Sequence, residues 1–131
     1  MASRRKRVFI SFDYEHDNCE KGSLVSDLVH KVNIGIDDIS ISEPIINERW
    51  QNEARRRIEE CDCVIFLCGK HTHQAKGVEA EMTITKQLNK RYYLVRRGTK
   101  PVNPPINSSR NDKIYKATIK NLVRLMNGEL E

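Results

Sequence analysis

The chain has 131 residues, of which 38% are hydrophobic and 31% charged, a composition typical of one globular domain. Its longest uninterrupted apolar run, Cys63–Cys68, is far shorter than the ~18 residues that a membrane-spanning helix needs, which excludes a membrane protein. The net charge of +5 comes largely from basic clusters at residues 4–7 and 55–57. No aromatic residues interleave with these clusters, so we expect solvated surfaces there and no nucleic-acid partner.

Short β-branched runs alternate with helical periodicities along the whole chain, with no internal repeat. Strands are predicted over residues 7–12, 36–42, 63–68 and 92–96, and helices over residues 20–32, 47–60, 75–89 and 113–127. Asp17 and Glu20 form a capping-box pattern at the first helix, and Asn47 is placed to cap the second. The chain is therefore predicted to form a single domain over residues 1–131.

The third predicted strand is apolar at every position, as expected of a central strand covered on both faces. Trp50, Ala54 and Ile58 form an apolar stripe on the second helix and should face this strand. The alternation predicts an α/β fold, a flavodoxin-like three-layer sandwich around a central parallel sheet in the order 2-1-3-4 or 2-1-3-4-5. Ligands bind such sheets beyond the C-terminal strand ends where the strand order reverses, which singles out residues 11–18 and 69–74.

Cysteine and histidine positions restrict the chemistry further. The four cysteines form no C-x-x-C pair and no signal peptide precedes the first strand, so we expect free thiols and a cytoplasmic location. His16, His71 and His73 have no carboxylate or cysteine at the spacing of a known ligand set, and no metal site is predicted. The sequence also lacks a Gly-rich phosphate loop, a nucleophile elbow and the aspartate that a receiver domain carries after its third strand.

The third helix carries an acidic residue in an unusual position. On a helical wheel Glu79 falls among polar residues, whereas Glu81 falls in the middle of the apolar face. A carboxylate there is costly unless it pairs with a cation or opens into a cleft. Because Glu81 follows the loop that closes the third strand, a cleft is available. A ligand-binding role and a structural ion pair both stay open.

The loop after the first strand collects hydroxyl, carboxylate and aromatic groups. Turn formation accounts for Asp13 and Asp17, whereas Phe12 and Tyr14 are candidates for stacking on a ring. We therefore expect this loop to form one wall of the cleft beside Glu81.

Residues 8–17 resemble the Phe-Ile/Phe-Ser-Phe-x-Tyr-x-x-Asp start of the TIR-like superfamily, in the branch with the TIR-like signalling subunit of Thoeris anti-phage systems. Residues 61–69, with Thr72 and residues 78–82, resemble its third strand and following helix. Where the family pattern has a serine and two tryptophans, this sequence has Ala75, Gly77 and Ala80, but the glutamate is retained as Glu81.

The resemblance implies a TIR-like domain that cleaves NAD⁺ at the nicotinamide ribose and makes an ADP-ribose or cyclic ADP-ribose signal in anti-phage defence. Glu81 would be catalytic, and the substrate-binding residues would be Ser11, Phe12, Asp13, Tyr14, Gly69 and Thr72. NAD⁺ would serve as substrate with no further cofactor. The implied partners are other TIR domains, a second copy among them, and a downstream effector that senses the product.

Two other functions stay open. A non-enzymatic TIR-like adaptor is favoured by the replaced tryptophans, and in it Glu81 would belong to an ion pair. A nucleoside deoxyribosyltransferase-like hydrolase would also place a glutamate in this cleft but would act on nucleosides.

Overall fold

The architecture is that of one parallel sheet between two layers of helices, seen in a computed structural model that describes residues 6–30, 36–38 and 47–128. The strands are β1 Lys6–Ser11, β2 Ile36–Asp38, β3 Cys63–Cys68, β4 Tyr92–Arg96 and β5 Ile114–Lys116. The helices are α1 Asn18–His30, α2 Glu48–Glu60, α3 Lys76–Gln87 and α4 Ile119–Met126, with a 3₁₀ turn at Thr72–Gln74 before α3.

The strand order is β2-β1-β3-β4-β5, and every neighbouring pair is parallel. Ile10 of β1 lies opposite Ile65 of β3, which lies opposite Tyr93 of β4. This result confirms the flavodoxin-like α/β class and the five-stranded order 2-1-3-4-5. The direction in which strands are added reverses between β1 and β3, so ligand binding is expected at their C-terminal ends.

Alternate residues of the strands divide the core into two layers. Val8 and Ile10 pack with Leu24 and Leu28 of α1 and with residues of α4 on one face of the sheet. On the other face Phe9 packs against α2 and α3. The residues that α2 contributes to this layer include the predicted stripe of Trp50, Ala54 and Ile58. All six residues of β3 are buried. The predictions of a central β3 and of the face that α2 presents to it are confirmed.

The C-terminal part of the chain differs from the prediction, which assigned residues 113–127 to one helix. Residues 114–116 form β5 beside β4, and α4 begins only at Ile119. Thr118 starts that helix, because its Oγ1 accepts a hydrogen bond of 3.1 Å from the backbone N–H of Asn121. Ile114 is β-branched and Tyr115 is aromatic, and strands favour both types of side chain. The sequence prediction missed this signal because the helical spacing of the residues that follow was extended back over them.

The remaining elements agree with the sequence within a few residues. Asn47 caps α2, since its Oδ1 accepts from the backbone N–H of Trp50 at 2.8 Å. Residues 31–32 of the predicted first helix and residues 39–42 of the predicted second strand lie outside the described part of the chain. All four cysteines are free. In the described segments no helix combines the length and the apolar character that crossing a membrane demands.

Candidate functional site

A cleft of about 410 Å³ lies at the C-terminal ends of β1 and β3, where the strand order reverses. We call it the first cleft. Its walls come from the β1–α1 loop, the first turn of α2, and the segment that leads into α3. The lining residues are Phe12, Asp13, Tyr14, Glu15, His16, Trp50, His71, Gln74, Ala75, Lys76, Gly77, Val78 and Glu81.

Glu81 lies at the inner end of this cleft and is only 4% exposed. Ser11, the last residue of β1, donates a hydrogen bond of 2.6 Å from Oγ to Glu81 Oε1. No cationic side chain in the described ranges forms an ion pair with Glu81. Burial raises the pKa of this carboxyl to about 8, against the opposite influence of the Ser11 hydrogen bond. A buried carboxyl held by one hydroxyl therefore adjoins a cavity.

The helical phase of α3 separates its two acidic residues. Glu79 lies on the outer side, where its carboxylate is 3.8 Å from Lys76 Nζ and its side chain is 42% exposed. Glu81 lies on the inner side between the buried Val78 and Thr85. This arrangement is the one that the helical wheel predicts.

The start of α3 faces the first cleft without a side-chain cap. Ala75 occupies the N-cap position and offers no hydrogen-bond acceptor, and Lys76 and Gly77 of the first turn line the cleft. The first N–H groups of a helix have no partner within the helix and carry a partial positive charge. They form a site suited to an anionic group such as a phosphate.

The β1–α1 loop is held by a carboxylate and an imidazole. Asp13 is buried, and its Oδ2 is 2.6 Å from His16 Nδ1. Asp13 Oδ1 also accepts from the backbone N–H of Glu15 at 3.1 Å, a local turn contact. The His16 ring lies against that of His71, with centroids 4.1 Å apart. The two imidazoles thus connect the β1–α1 loop to the β3–α3 loop.

A second cleft, of about 610 Å³, adjoins the first, because His16 and His71 line both. It lies between α1 and the ends of β3 and β4. The lining residues are His16, Asp17, Glu20, Leu67, Cys68, Gly69, Lys70, His71, Arg97, Lys100, Pro101, Val102 and Asn103.

The structure brings most of the predicted site residues together around the first cleft. Phe12, Asp13 and Tyr14 line it with Glu81, and Ser11 reaches it through its hydrogen bond to that carboxyl. Tyr14 is 41% exposed at the rim, with its ring centroid 6.4 Å from that of Phe12. The roles assigned to these residues stay predictions.

Two predicted residues lie elsewhere. Gly69 lines the second cleft and not the first. Thr72 is buried and is not among the residues that line either cleft; its Oγ1 accepts from the backbone N–H of Gly69 at 2.6 Å. Thr72 therefore shapes the β3–α3 loop from within, because its side chain satisfies a backbone donor of that loop.

Sequence reasoning missed the contribution of Trp50 to the first cleft, having assigned it to the core stripe alone. Its indole is buried and lines the cleft, and its Nε1 has no hydrogen-bond partner within residues 6–30, 36–38 and 47–128. In a parallel sheet each connecting helix begins near the C-terminal strand ends, so a large residue in the first turn of α2 was a candidate. His16 and His71 were considered only as metal ligands. The described residues contain no group of three or more side chains able to hold a metal.

A comparison with known protein families shows the family to which this chain belongs. The family model of the Thoeris protein ThsB TIR-like domain matches residues 9–101. The chain belongs to this family. The match contains the last three residues of β1, both loops that meet at the first cleft, and all of α3. No curated protein sequence matches the chain.

Two solved structures have the same fold as this TIR-like domain. The TIR domains of the activated Roq1 resistosome, which directly recognizes the pathogen effector XopQ, align with a TM-score of 0.53 and 19% identity. That alignment covers 73% of this chain and 60% of the other. A response regulator receiver domain from Bacillus halodurans aligns with a TM-score of 0.53 and 13% identity, over 98% and 99% of the two chains. At such identities both show the fold alone.

Proposed function

We propose that this TIR-like domain cleaves NAD⁺ between nicotinamide and ribose, with Glu81 as the catalytic residue. The observation that carries the proposal is the position of Glu81: a buried carboxyl, held by Ser11 and without a cationic partner among the described residues, at the inner end of a cleft. Such a carboxyl destabilises the apo protein and gains most from a cationic ligand. The nicotinamide ribose of NAD⁺ becomes cationic as its bond breaks.

The reaction breaks the C–N bond between C1′ of the ribose and the nicotinamide nitrogen. The bonding electrons leave with nicotinamide, which becomes neutral, and positive charge develops on the ribose as an oxocarbenium-like ion. A Glu81 carboxylate beside the ribose stabilises that charge, which is stronger in the transition state than in bound NAD⁺. Ser11 holds Oε1 and thereby fixes the orientation of the carboxylate.

Two further features suit the substrate. The uncapped start of α3, beside Lys76, offers N–H donors to the pyrophosphate. Trp50 brings an indole to the cleft from α2, which offsets the absence of aromatic residues at Gly77 and Ala80. Stacking on Trp50, Phe12 or Tyr14 would hold the nicotinamide ring.

The cation is then captured by whichever nucleophile reaches C1′. Water gives ADP-ribose and a proton, whereas a nitrogen or oxygen of the same molecule gives a cyclic isomer. We infer that the product is a signal for a downstream effector in anti-phage defence and that NAD⁺ is substrate with no additional cofactor. Assembly with other TIR domains, a second copy among them, and action in the cytoplasm belong to the same proposal.

The test compares Glu81→Gln with Glu79→Gln on the opposite side of the same helix. Glutamine keeps the size of the side chain but removes the charge, so NAD⁺ turnover should fall roughly a hundred- to a thousandfold in Glu81→Gln. Glu79→Gln should retain wild-type turnover, because Glu79 is partly exposed and outside the cleft. Nicotinamide release is measured chromatographically, with purified protein alone and with extract of phage-infected cells.

The second candidate function is a non-enzymatic TIR-like adaptor, favoured by Gly77 and Ala80 in place of the family tryptophans. Absence of turnover by the wild type under both conditions would favour it. A nucleoside deoxyribosyltransferase-like hydrolase has lost its support, because the matched family is a TIR-like one.

A further inference from the structure

The second cleft has no part in the chemistry at Glu81, yet it adjoins the cleft in which that chemistry takes place. Its volume is about 610 Å³, the larger of the two, and the adjacent, mutually tilted rings of His16 and His71 line both clefts. The two clefts therefore meet at these imidazoles, and a ligand longer than the first cleft has a second cavity next to it. The reacting ribose must lie at Glu81, so any remaining half of the substrate has to lie elsewhere.

Asp17 gives the second cleft a defined chemistry. This residue lines the cleft and is only 8% exposed, and its Oδ2 has no hydrogen-bond partner among the described residues. Glu20, one turn later on α1, has a buried Oε2 that also lacks a partner in the part of the chain that the structure describes. A buried carboxylate oxygen without a donor is costly. A ligand that brings hydroxyl or amino groups to these two oxygens would therefore supply the hydrogen-bond donors that the site lacks.

The cationic side chains that line the second cleft do not donate hydrogen bonds to these two carboxylate oxygens. Arg97 lines the second cleft, but its guanidinium binds Asp27 Oδ2 at 2.8 Å, Ser23 Oγ at 2.7 Å and the Ala117 carbonyl at 3.0 Å. Lys70 and Lys100 are exposed at the rim, where an ammonium group suits a phosphate. Burial, together with the nearby carboxylates of Asp13 and Glu20, raises the pKa of Asp17 to about 6. The carboxyl is therefore mainly ionised at pH 7.5.

This combination of groups matches a nucleoside phosphate. A ribose diol donates two hydroxyls to a carboxylate, as in many dinucleotide sites. Purine rings stack on imidazoles, and phosphates accept hydrogen bonds from lysines. We propose that the second cleft binds the adenosine half of the dinucleotide, with Asp17 accepting from its hydroxyl or amino groups, while the nicotinamide ribose occupies the first cleft. This assignment rests on the proposed function and makes the second cleft the determinant of preference for dinucleotides over mononucleotides.

The direct test measures binding of adenosine 5′-monophosphate by calorimetry at pH 7.5, which requires no turnover. Asp17→Asn and Glu20→Gln should each weaken binding roughly tenfold, the effect of losing one hydrogen bond to a charged group. Glu59→Gln is the matched control, since Glu59 is exposed on α2 and outside both clefts. Thermal melting of each variant verifies that it is folded. Absence of binding to wild type, or equal binding to Asp17→Asn, overturns the proposal.

A second measurement separates this proposal from the proposed function. The ratio of kcat/KM for NAD⁺ to kcat/KM for nicotinamide mononucleotide should fall roughly tenfold in Asp17→Asn, because only NAD⁺ has an adenosine half. Glu59→Gln should leave the ratio at its wild-type value. An unchanged ratio in an active Asp17→Asn enzyme overturns the second-cleft assignment and leaves NAD⁺ cleavage intact. If no protein cleaves either substrate while Asp17→Asn weakens adenosine monophosphate binding, the adenosine site stands and the proposed function fails.

Discussion

Burial of Glu81 favours the neutral form of its carboxyl, which is the opposite of the form that the proposed reaction needs. Its pKa of about 8 means that the free protein carries mostly the neutral acid at pH 7, whereas stabilisation of a cation needs the carboxylate. We predict that kcat/KM for NAD⁺ rises with pH, nearly tenfold per pH unit well below 8, and levels off above it. A pH–rate profile from 5.5 to 9.5 checks this. A profile that falls with pH, or is flat from 6 to 9, contradicts a catalytic carboxylate at this site.

Ser11 is a positioning residue that acts through Glu81. Because its hydroxyl donates to Oε1, it stabilises the ionised form and lowers the pKa that burial raises. In Ser11→Ala we predict that the inflection of the kcat/KM profile moves upward by roughly one pH unit, the equivalent of about 1.4 kcal/mol. A shift with the alkaline plateau preserved distinguishes this effect from general damage to the site. Loss of the plateau with an unmoved inflection indicates that Ser11 is structural only.

The sequence located Glu81 because helical periodicity is local: its position on the apolar face of α3 follows from its neighbours alone. It did not locate the joint boundary of the two clefts. His16 and His71 are 55 positions apart, and the contact between their rings depends on how the loops after β1 and β3 meet. Similarly, Asp17 and Glu20 matched a helix-capping pattern, and α1 does begin directly after Asp17, but that pattern did not show that Oδ2 and Oε2 are buried without partners among the described residues. Contacts made by tertiary packing leave no local pattern.

At the scale of elements, the turn between β3 and α3 fits closely against Asp17, the residue that precedes α1. A Cβ added at Gly69 would lie 2.5 Å from Asp17 Oδ1, well inside normal contact distance. We predict that Gly69→Ala lowers the free energy of unfolding by about 1–3 kcal/mol, the usual cost of overpacking a close contact. Chemical denaturation of the variant measures the loss.

A double-mutant cycle assigns that cost to the Asp17 contact. In an Asp17→Ala background the added methyl group has room, so Gly69→Ala should cost at least about 0.5 kcal/mol less than in the wild type. An equal cost in both backgrounds would mean that the strain lies in the backbone of the turn and not in its contact with Asp17.

The sequence predicted helices and strands correctly where a single local pattern dominated. It misplaced their bounds where a strand pattern and a helix pattern competed. The all-apolar β3 and the Asn47 cap of α2 agree with the prediction. At the C-terminus the helical spacing after Thr118 extended into residues that form β5, because three residues are too few to show alternation. The pairing of β5 with β4 is supplied by the sheet edge, which the local sequence does not contain.

At the scale of the whole molecule, apolar side chains fill both faces of the sheet, and the polar groups of the two clefts collect at its C-terminal edge. The alternation of strands and helices was sufficient to predict this arrangement, because it follows from the right-handed connections of parallel sheets. The core and the clefts therefore occupy different parts of the molecule. A ligand at the edge adds stability without rearranging the core, so binding can be measured as a change in Tm.

Our last prediction uses this linkage to separate substrate binding from turnover. In Glu81→Gln, NAD⁺ should bind without being consumed, and at ten times its Kd it should add about 1.4 kcal/mol to the free energy of unfolding. For a domain of this size that corresponds to a rise in Tm of roughly 3–6 °C. Pyrophosphate at the same concentration is the control and should raise Tm less, since it has neither the ribose that contacts Glu81 nor the adenosine that fills the second cleft. No rise with NAD⁺ at millimolar concentration would contradict a dinucleotide site and leave the adaptor as the better account of this domain.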